Sequence, residues 1–454
     1  MSFTIWANEN YNFEFINKQY DPDILSVSFD FNDSPFGFQV LRLGSADYVM
    51  LKFDDLANVE RNFFYRIIHC DKNWEQSAMR EIDYLNGFND ERLRNYSYAV
   101  NTRIQYLHYW QKFPNKDSNF KISGNYLLVI YEDNIETPIL THRFVVSENS
   151  AKLEIKSTYP SDVLNIRYKQ EMTLDVVIDP KKMRNPIEEV SVVMLQNEMW
   201  NSAVEVKPNF LTGTNLRFNK LGNFQWWGNA EFRQFDIRSF FRLGRGVKHI
   251  DRRVDGTDIL LEPTFSRQNK VHLAYFDFNG KFFHENWDRL SNGISLDDIL
   301  GAENISTARS SVIGALQSSS RESQRNNIAE DRNINSDYAN VTLHLDDNII
   351  LEKDEEIYVL GAFNNYLPLD EFKMNFNSAK DMYTCNMFLK QGYYNFYYGI
   401  VDKKGNIDIP KIEGSWNETE NDYQILVYYR GLGDLYDRVL EYKRYNTNFE
   451  TREY

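Results

Sequence analysis

Hydrophobic and polar positions alternate with a period of two along most of this chain. Leu153 and Ile155 alternate with Lys152, Glu154 and Lys156; Met172, Leu174, Val176 and Ile178 form the apolar side of Glu171–Asp179; Val341, Leu343 and Leu345 share one face. Between Asn95 and Tyr106 the pattern sets Tyr96, Tyr98, Val100, Ile104 and Tyr106 against Asn95, Ser97, Asn101, Arg103 and Gln105. Such spacing predicts half-buried strands, because successive strand side chains face opposite ways. Two runs, Tyr126–Tyr131 and Ile357–Phe363, are almost wholly apolar and predict strands of the buried kind. Turn-forming sets at Gly44–Asp47, Ser123–Asn125, Asp179–Pro180 and Gln391–Gly392 separate the runs, and Val271–Asp277 followed by Asn279–Gly280 predicts a hairpin. No helical periodicity is long enough for strand–helix–strand units. The fold class is therefore all-β, in tandem immunoglobulin-like β-sandwiches of antiparallel strands, each sheet with one wet face.

A chain of 454 residues exceeds the roughly 250–300 that one core supports. Taken in order, the pattern gives an N-terminal arm over 1–21, a first sandwich over 22–149 and a second β domain over 150–290. Residues 291–337 are rich in Ser, Asn, Arg and Glu, cannot bury a core, and read as a mobile insertion or linker. A C-terminal immunoglobulin-like domain with its tail fills 338–454, closed by a strand over Tyr423–Arg430. Within the first sandwich, Asn73–Asn95 is expected as a long loop packed by Trp74, Tyr84, Leu85 and Phe88.

Composition narrows the function classes. An aromatic share of 15% suits pleated, half-buried surfaces. A net charge of −15 opposes binding to nucleic acid and docking on an anionic membrane. Two cysteines, Cys70 and Cys385, are too few for a disulfide framework or a thiolate cluster, and buried free thiols are expected. No apolar run is long enough for a transmembrane helix, and Met1–Asn10 lacks the basic and apolar regions of a full export signal.

A search for catalytic chemistry finds no site. None of the seven histidines is spaced i, i+4 around a glutamate; no glycine-rich phosphate loop or nucleophile elbow occurs, and Gly244-Arg245-Gly246 is only half a dinucleotide fingerprint. The pairs Asp54-Asp55, Asp297-Asp298 and Asp346-Asp347 point to opposite sides of a strand and read as solvated turns. His69, Cys70 and His108 are base and nucleophile types, but on tyrosine-rich strands they read as satisfied core residues. The expectation is no enzyme, no metal and no cofactor. A candidate partner interface remains: Trp226 and Trp227 with Arg238, Arg242, Arg245, Arg252 and Arg253, since aromatics and arginine dominate interface hot spots. The plainer reading leaves the arginines scattered and puts one tryptophan ring in and one out.

Certain strings carry a resemblance. Tyr65–Asp71, Trp74, Tyr84–Phe88, Asn101-Thr102, His108-Tyr109, Pro114-Asn115 and Ser123–Tyr126 resemble the N-terminal domain of the type IX secretion system plug proteins of Bacteroidetes. On that resemblance His69, Cys70, Trp74, Tyr84, Gly87, Asn101, His108, Pro114 and Gly124 are signature positions with structural roles. Gln225–Arg238, Glu413–Trp416 and Tyr436–Arg438 are similar to the same family. Ile357–Tyr366 with Leu389–Phe396 is similar to starch- and glycogen-binding immunoglobulin-like modules, although Tyr366 stands where a sugar-stacking tryptophan is usual.

The resemblance implies a non-enzymatic plug subunit, exported by a signal upstream of about Asn8, that sits in the periplasm on the inner face of the outer membrane. There it would bind the giant β-barrel translocon and occlude its pore. A barrel of about 36 strands has a backbone diameter of roughly 70 Å. A compact chain of this length measures roughly 60 Å across. The alternative is a carbohydrate-binding protein of several β-sandwiches.

Overall fold

In the computed structural model the described residues are 11–179, 183–288, 333–346 and 349–448. They build three β-sandwiches. The first pairs Pro138–Ser147, Gly124–Tyr131 and Phe64–Cys70 in one antiparallel sheet, with short strands at its edges, and faces it with Ile24–Phe31, Val49–Asp55, Leu107–Phe113 and Tyr96–Tyr98. Leu51, Phe53, Ile67, Tyr109, Leu128, Ile130 and Phe144 fill its core.

The other two sandwiches do not follow the linear order. In the second, Lys152–Thr158, Lys169–Val177, Asn215–Phe218 and Phe224–Trp227 make one sheet. The facing sheet runs Val204–Val206, Val190–Gln196, Asp422–Tyr429 and Arg438–Asn446. In the third, Gly392–Val401 pairs with Arg233–Asp236, Phe282–His284 and Glu356–Leu360. Opposite lie Val247–Arg252, Thr257–Leu261, Tyr338–Asp346, Met382–Lys390 and Asn375–Asn377. The third sandwich is thus inserted between two parts of the second. This corrects the expected divisions at 150–290 and 338–454: Arg233–His284 belongs with the third core, and Tyr423–Arg430 closes the second. A strand's own pattern shows which face is buried but not which distant strand it pairs with.

Several local expectations also change. Gly124–Tyr131 is buried along its whole length because both faces are covered. Tyr126, Leu128 and Ile130 enter the first core, while Leu127 and Val129 join Ile68, Cys70 and Val145 against Val193, Leu195, Leu426, Tyr428 and Val439 of the second sandwich. The face expected to be wet is an inter-domain core. The alternation over Asn95–Tyr106 yields a strand only at Tyr96–Tyr98. Beyond it the chain turns and docks on the third sandwich's approach: Val100 N–H donates to Ile334 O at 2.8 Å, and Arg103 and Ile104 N–H donate to the Asp337 carboxylate at 2.8 and 3.1 Å. The loop over Asn73–Asn95 contains a helical turn at Glu81–Tyr84 and short strands at Leu85–Gly87 and Glu91–Arg92; Phe88, expected inside, is exposed. Val271–Asp277 is not a strand, and Val271 and Leu273 lie on the surface. Residues 1–10 and 289–332 lie outside the described residues, and with them most of the polar stretch over 291–337 and the pair Asp297-Asp298.

Candidate partner surface

The signature residues of the first sandwich form its architecture. His69 is buried, its Nδ1 2.7 Å from Ser77 Oγ and its ring edge-on to Tyr126. Gly124 has φ +150°, and a Cβ there would stand 2.3 Å from His69 Nε2, so the position takes no side chain. Gly87, at φ +106°, likewise leaves no room beside Asp117 O. Cys70 points to the opposite face from His69, buried and free, and burial pushes its thiol up. Trp74 packs edge-on to Trp200 of the second sandwich at 5.0 Å, with the Arg143 guanidinium over its ring at 4.5 Å. Tyr84 donates to Ile67 O at 3.1 Å, Asn101 takes φ +59° at the turn after Tyr98, and Pro114 follows a cis peptide bond.

His108 belongs to a charged node between the first and third sandwiches. Asp54 is fully buried in the strand Val49–Asp55, which overturns its reading as a solvated turn. Asp55, also buried, has the Arg61 guanidinium 3.7 Å away. His108 Nδ1 lies 2.6 Å from Asp54 Oδ1, and Lys390 Nζ and Tyr338 O–H both donate to Oδ2 at 2.6 Å. Lys390 also sits 4.4 Å from the Tyr106 ring centroid. Burial alone would raise the Asp54 carboxyl, but the Lys390 charge and the hydrogen bonds from His108 and Lys390 hold it down at about 2. Burial pushes the His108 imidazole below its ordinary value. An aspartate, a histidine and a lysine converge here without a catalytic arrangement, because each carboxylate oxygen is occupied by its partners. The node instead fastens one sandwich to another. A cavity of about 530 Å³ opens beside it, lined by Ile24, Phe282, Phe363 and Phe388 with His284 and Lys390.

The candidate interface over Trp226–Arg253 does not form one surface element. Trp226 is buried against Tyr423 and donates its indole N–H to Ser202 O at 2.8 Å. Trp227, the next residue on the strand, faces out beneath Lys169. Arg238 is internal: it pairs with Asp236 at 2.5 Å and Glu285 at 3.2 Å, and stacks on Trp287 at 3.4 Å. Trp226 and Arg238 are therefore removed from the surface set. Arg253 is neutralised by Asp258 at 2.6 Å, and the turn it begins is gripped by Arg103 of the first sandwich through Gly256 O. Arg245 lies partly buried before the strand Val247–Arg252. What remains together at the surface is Arg252 stacked 3.8 Å from the Phe241 ring, with Arg242 and Leu243 on the same exposed turn. The sequence reading missed Phe241 and Leu243. The Phe240-Phe241 pair was the available signal, with one ring entering the third core and its neighbour left outside.

The sugar-stacking position resolves as well. Tyr366 is buried against Phe232, and its hydroxyl stands where a Gly280 side chain would be. It offers no ring to a carbohydrate. Among the described residues no group of three or more histidine, cysteine, aspartate or glutamate side chains could hold a metal ion, and no helix is long and apolar enough to cross a membrane.

Residues 24–148 match the family model for the type 9 secretion system plug protein 1st domain. The first sandwich is a plug-type first domain of type IX secretion. The matched segment is the first sandwich, and it contains all nine signature positions discussed above. That match supports a role in type IX secretion and an envelope-associated location. The crystal structure of a hypothetical protein from Parabacteroides merdae superposes with a TM-score of 0.82 at 22% identity, covering 96% of this chain and 100% of that one. At that identity the likeness is one of fold. No curated protein matches the chain.

Proposed function

We propose that this protein is a non-enzymatic plug subunit that binds the periplasmic side of the outer-membrane β-barrel translocon of type IX secretion and occludes its pore. The observation that carries the reading is the match of the first sandwich to the plug family's first domain. Its construction suits the task. A body that closes a wide pore must resist deformation rather than bind a small molecule. Here the second sandwich is split around the third, an apolar core joins first to second, and the Asp54–Lys390 node joins first to third. Removing one partner of that buried pair would strand the other charge at a cost of roughly 3–5 kcal/mol, so the node fixes which surfaces of the two sandwiches can dock.

The carbohydrate reading loses its main residue, because Tyr366 is internal. The deciding experiment is affinity capture of the tagged protein from detergent-solubilised outer membranes. The barrel subunit is expected to copurify, and the tagged chain to fractionate with periplasm and outer membrane. Recovery without the barrel, together with an unchanged permeability barrier in a deletion strain, would overturn the proposal.

A further inference from the structure

The most exposed apolar residue described in the second sandwich, Leu164, belongs to a loop with no part in the surface above. Tyr159–Tyr168 projects between the strands Lys152–Thr158 and Lys169–Val177, and carries a 3-10 turn at Val163–Asn165. Val163 is 77% and Leu164 89% exposed, and Tyr159 and Tyr168 are also exposed. A second turn lies beside it, with Leu221 58% exposed, leading into Trp227 at 41%.

These residues are held in place. The buried Glu171 carboxylate accepts from Ser161 N–H at 2.6 Å and Ser161 Oγ at 2.9 Å, and from Gly222 N–H at 2.7 Å and Gln225 Nε2 at 3.0 Å. One carboxylate thereby ties both turns together. The base of the loop is pinned by Asn417 N–H to Arg167 O at 2.9 Å and by Ser415 Oγ to Tyr168 O at 2.6 Å. An apolar tip on a rigid mount is a contact surface rather than a failed core.

Chemistry selects the occupant. Aliphatic Val163, Leu164 and Leu221 form the tips, while Tyr159, Tyr168 and Trp227 stand behind them. Arg167 is exposed on the loop and Lys220 on the second turn, and Lys169 lies over the Trp227 ring. Asp162 is paired with Lys169 at 3.0 Å, and Glu418 lies at the rim near His272. Protein hot spots are poor in leucine and valine, and interfaces are depleted in lysine. Aliphatic tips with tyrosine, tryptophan and a basic collar are what a lipid interface takes. The chain's overall negative charge opposes an anionic surface, but charges beyond a screening length of ~8 Å scarcely act at the contact, and with Asp162 taken up by Lys169 the exposed charges of the loop and the second turn are Arg167 and Lys220.

We propose that the loop Tyr159–Tyr168, with Leu221 and Trp227, is a membrane-contact prong that enters the headgroup region of an anionic phospholipid leaflet. The inference does not rest on translocon binding. In the full chain Cys70 and Cys385 are both buried, so Leu164→Cys can be labelled selectively with an environment-sensitive fluorophore. With vesicles of phosphatidylethanolamine and phosphatidylglycerol, the fluorescence should shift to the blue, and less so with phosphatidylcholine or in high salt. Val163→Asp with Leu164→Asp should reduce vesicle co-sedimentation by roughly tenfold or more while leaving the melting temperature unchanged. Absence of both the shift and co-sedimentation would overturn the prong. So would a label already blue before lipid is added, which would mean that another part of the chain covers the site. Loss of translocon capture by the aspartate pair, with no wild-type vesicle binding, would reassign the loop to a protein contact. Vesicle binding with no translocon capture would keep the prong and defeat the plug.

Discussion

The stretch Trp226–Arg253 and the loop Tyr159–Tyr168 differ in residue types, and each meets the fate its composition argues against. The first, with its paired tryptophans and six arginines, has the composition of an interface, yet two of its strongest members are internal. Trp226 lies in the second core, and Arg238 in a charged cluster of the third sandwich. The second has little charge and ordinary apolar residues, yet its aliphatic tips are among the most exposed in the molecule. Residue type is a poor guide because burial is decided by what the rest of the chain supplies. Arg238 finds Asp236, Glu285 and Trp287; Leu164 finds nothing among the described residues that covers it.

That contrast is sharpest at Arg238. Arg238→Ala would leave Asp236 and Glu285 buried without their cation, and roughly 3–5 kcal/mol of stability should be lost. Arg238→Lys should recover only part, since a point charge cannot reproduce the fork that spans both carboxylates. Chemical denaturation monitored by tryptophan fluorescence measures both. A loss below ~1 kcal/mol for Arg238→Ala would return this residue to the surface set.

The two tryptophans provide an internal control one residue apart. Trp226→Ala removes a buried ring and orphans Ser202 O, and should destabilise by roughly 3–5 kcal/mol. Trp227→Ala, on the exposed face, should stay within about 1 kcal/mol, the contribution of an exposed stacked lysine included. Equal losses in paired denaturation curves would show that the strand does not place the two rings on opposite sides.

Acid should weaken the first sandwich before it touches the exposed surfaces. Burial pushes the imidazoles of His69 and His142 down to about 4, whereas in the unfolded chain they titrate near ~6.5. The unfolded state therefore takes up protons that the native state refuses. Stability is full above about pH 6.5 and falls by roughly 1.4 kcal/mol per pH unit for each histidine down to about pH 4. Urea titrations at neutral and mildly acidic pH read that slope, and His142→Gln should flatten it. A slope that is flat, or of opposite sign, would mean these rings are solvated.

How much was legible follows the same division. The all-β class, the inward faces of Glu171–Asp179 and Val341–Leu345, and the buried run Tyr126–Tyr131 could be read because period-two patterning reports burial directly. The plug-type first domain could be read because most of the telling strings sit in one uninterrupted sandwich. The split of the second sandwich could not, since nothing in Val190–Gln196 names Asp422–Tyr429 as its neighbour across more than two hundred residues. The Asp54 node was hidden for the same reason: its cation, Lys390, comes from another sandwich. At the candidate interface, exposure of Trp227, Arg242 and Arg252 was compatible with the reading, but Phe241 was passed over because adjacent aromatics look alike until one of them is placed in a core.

The smallest effect on stability should come from the surface that survives. Phe241 is exposed with the Arg252 guanidinium 3.8 Å from its ring, and Arg242 lies on the same turn. None of the three contributes to a buried cluster, so Phe241→Ala with Arg242→Glu and Arg252→Glu should leave the denaturation midpoint within about 0.5 kcal/mol of wild type. If this turn meets the translocon, losing a central aromatic anchor and reversing two charges should weaken capture by 2 kcal/mol or more, roughly thirtyfold. The measurement is the amount of barrel recovered per tagged chain across a dilution series. The Val163→Asp, Leu164→Asp pair separates the two regions. Capture lost at the turn but not at the loop assigns the protein partner to the third sandwich; capture lost at neither places it on another face, with both variants still folded.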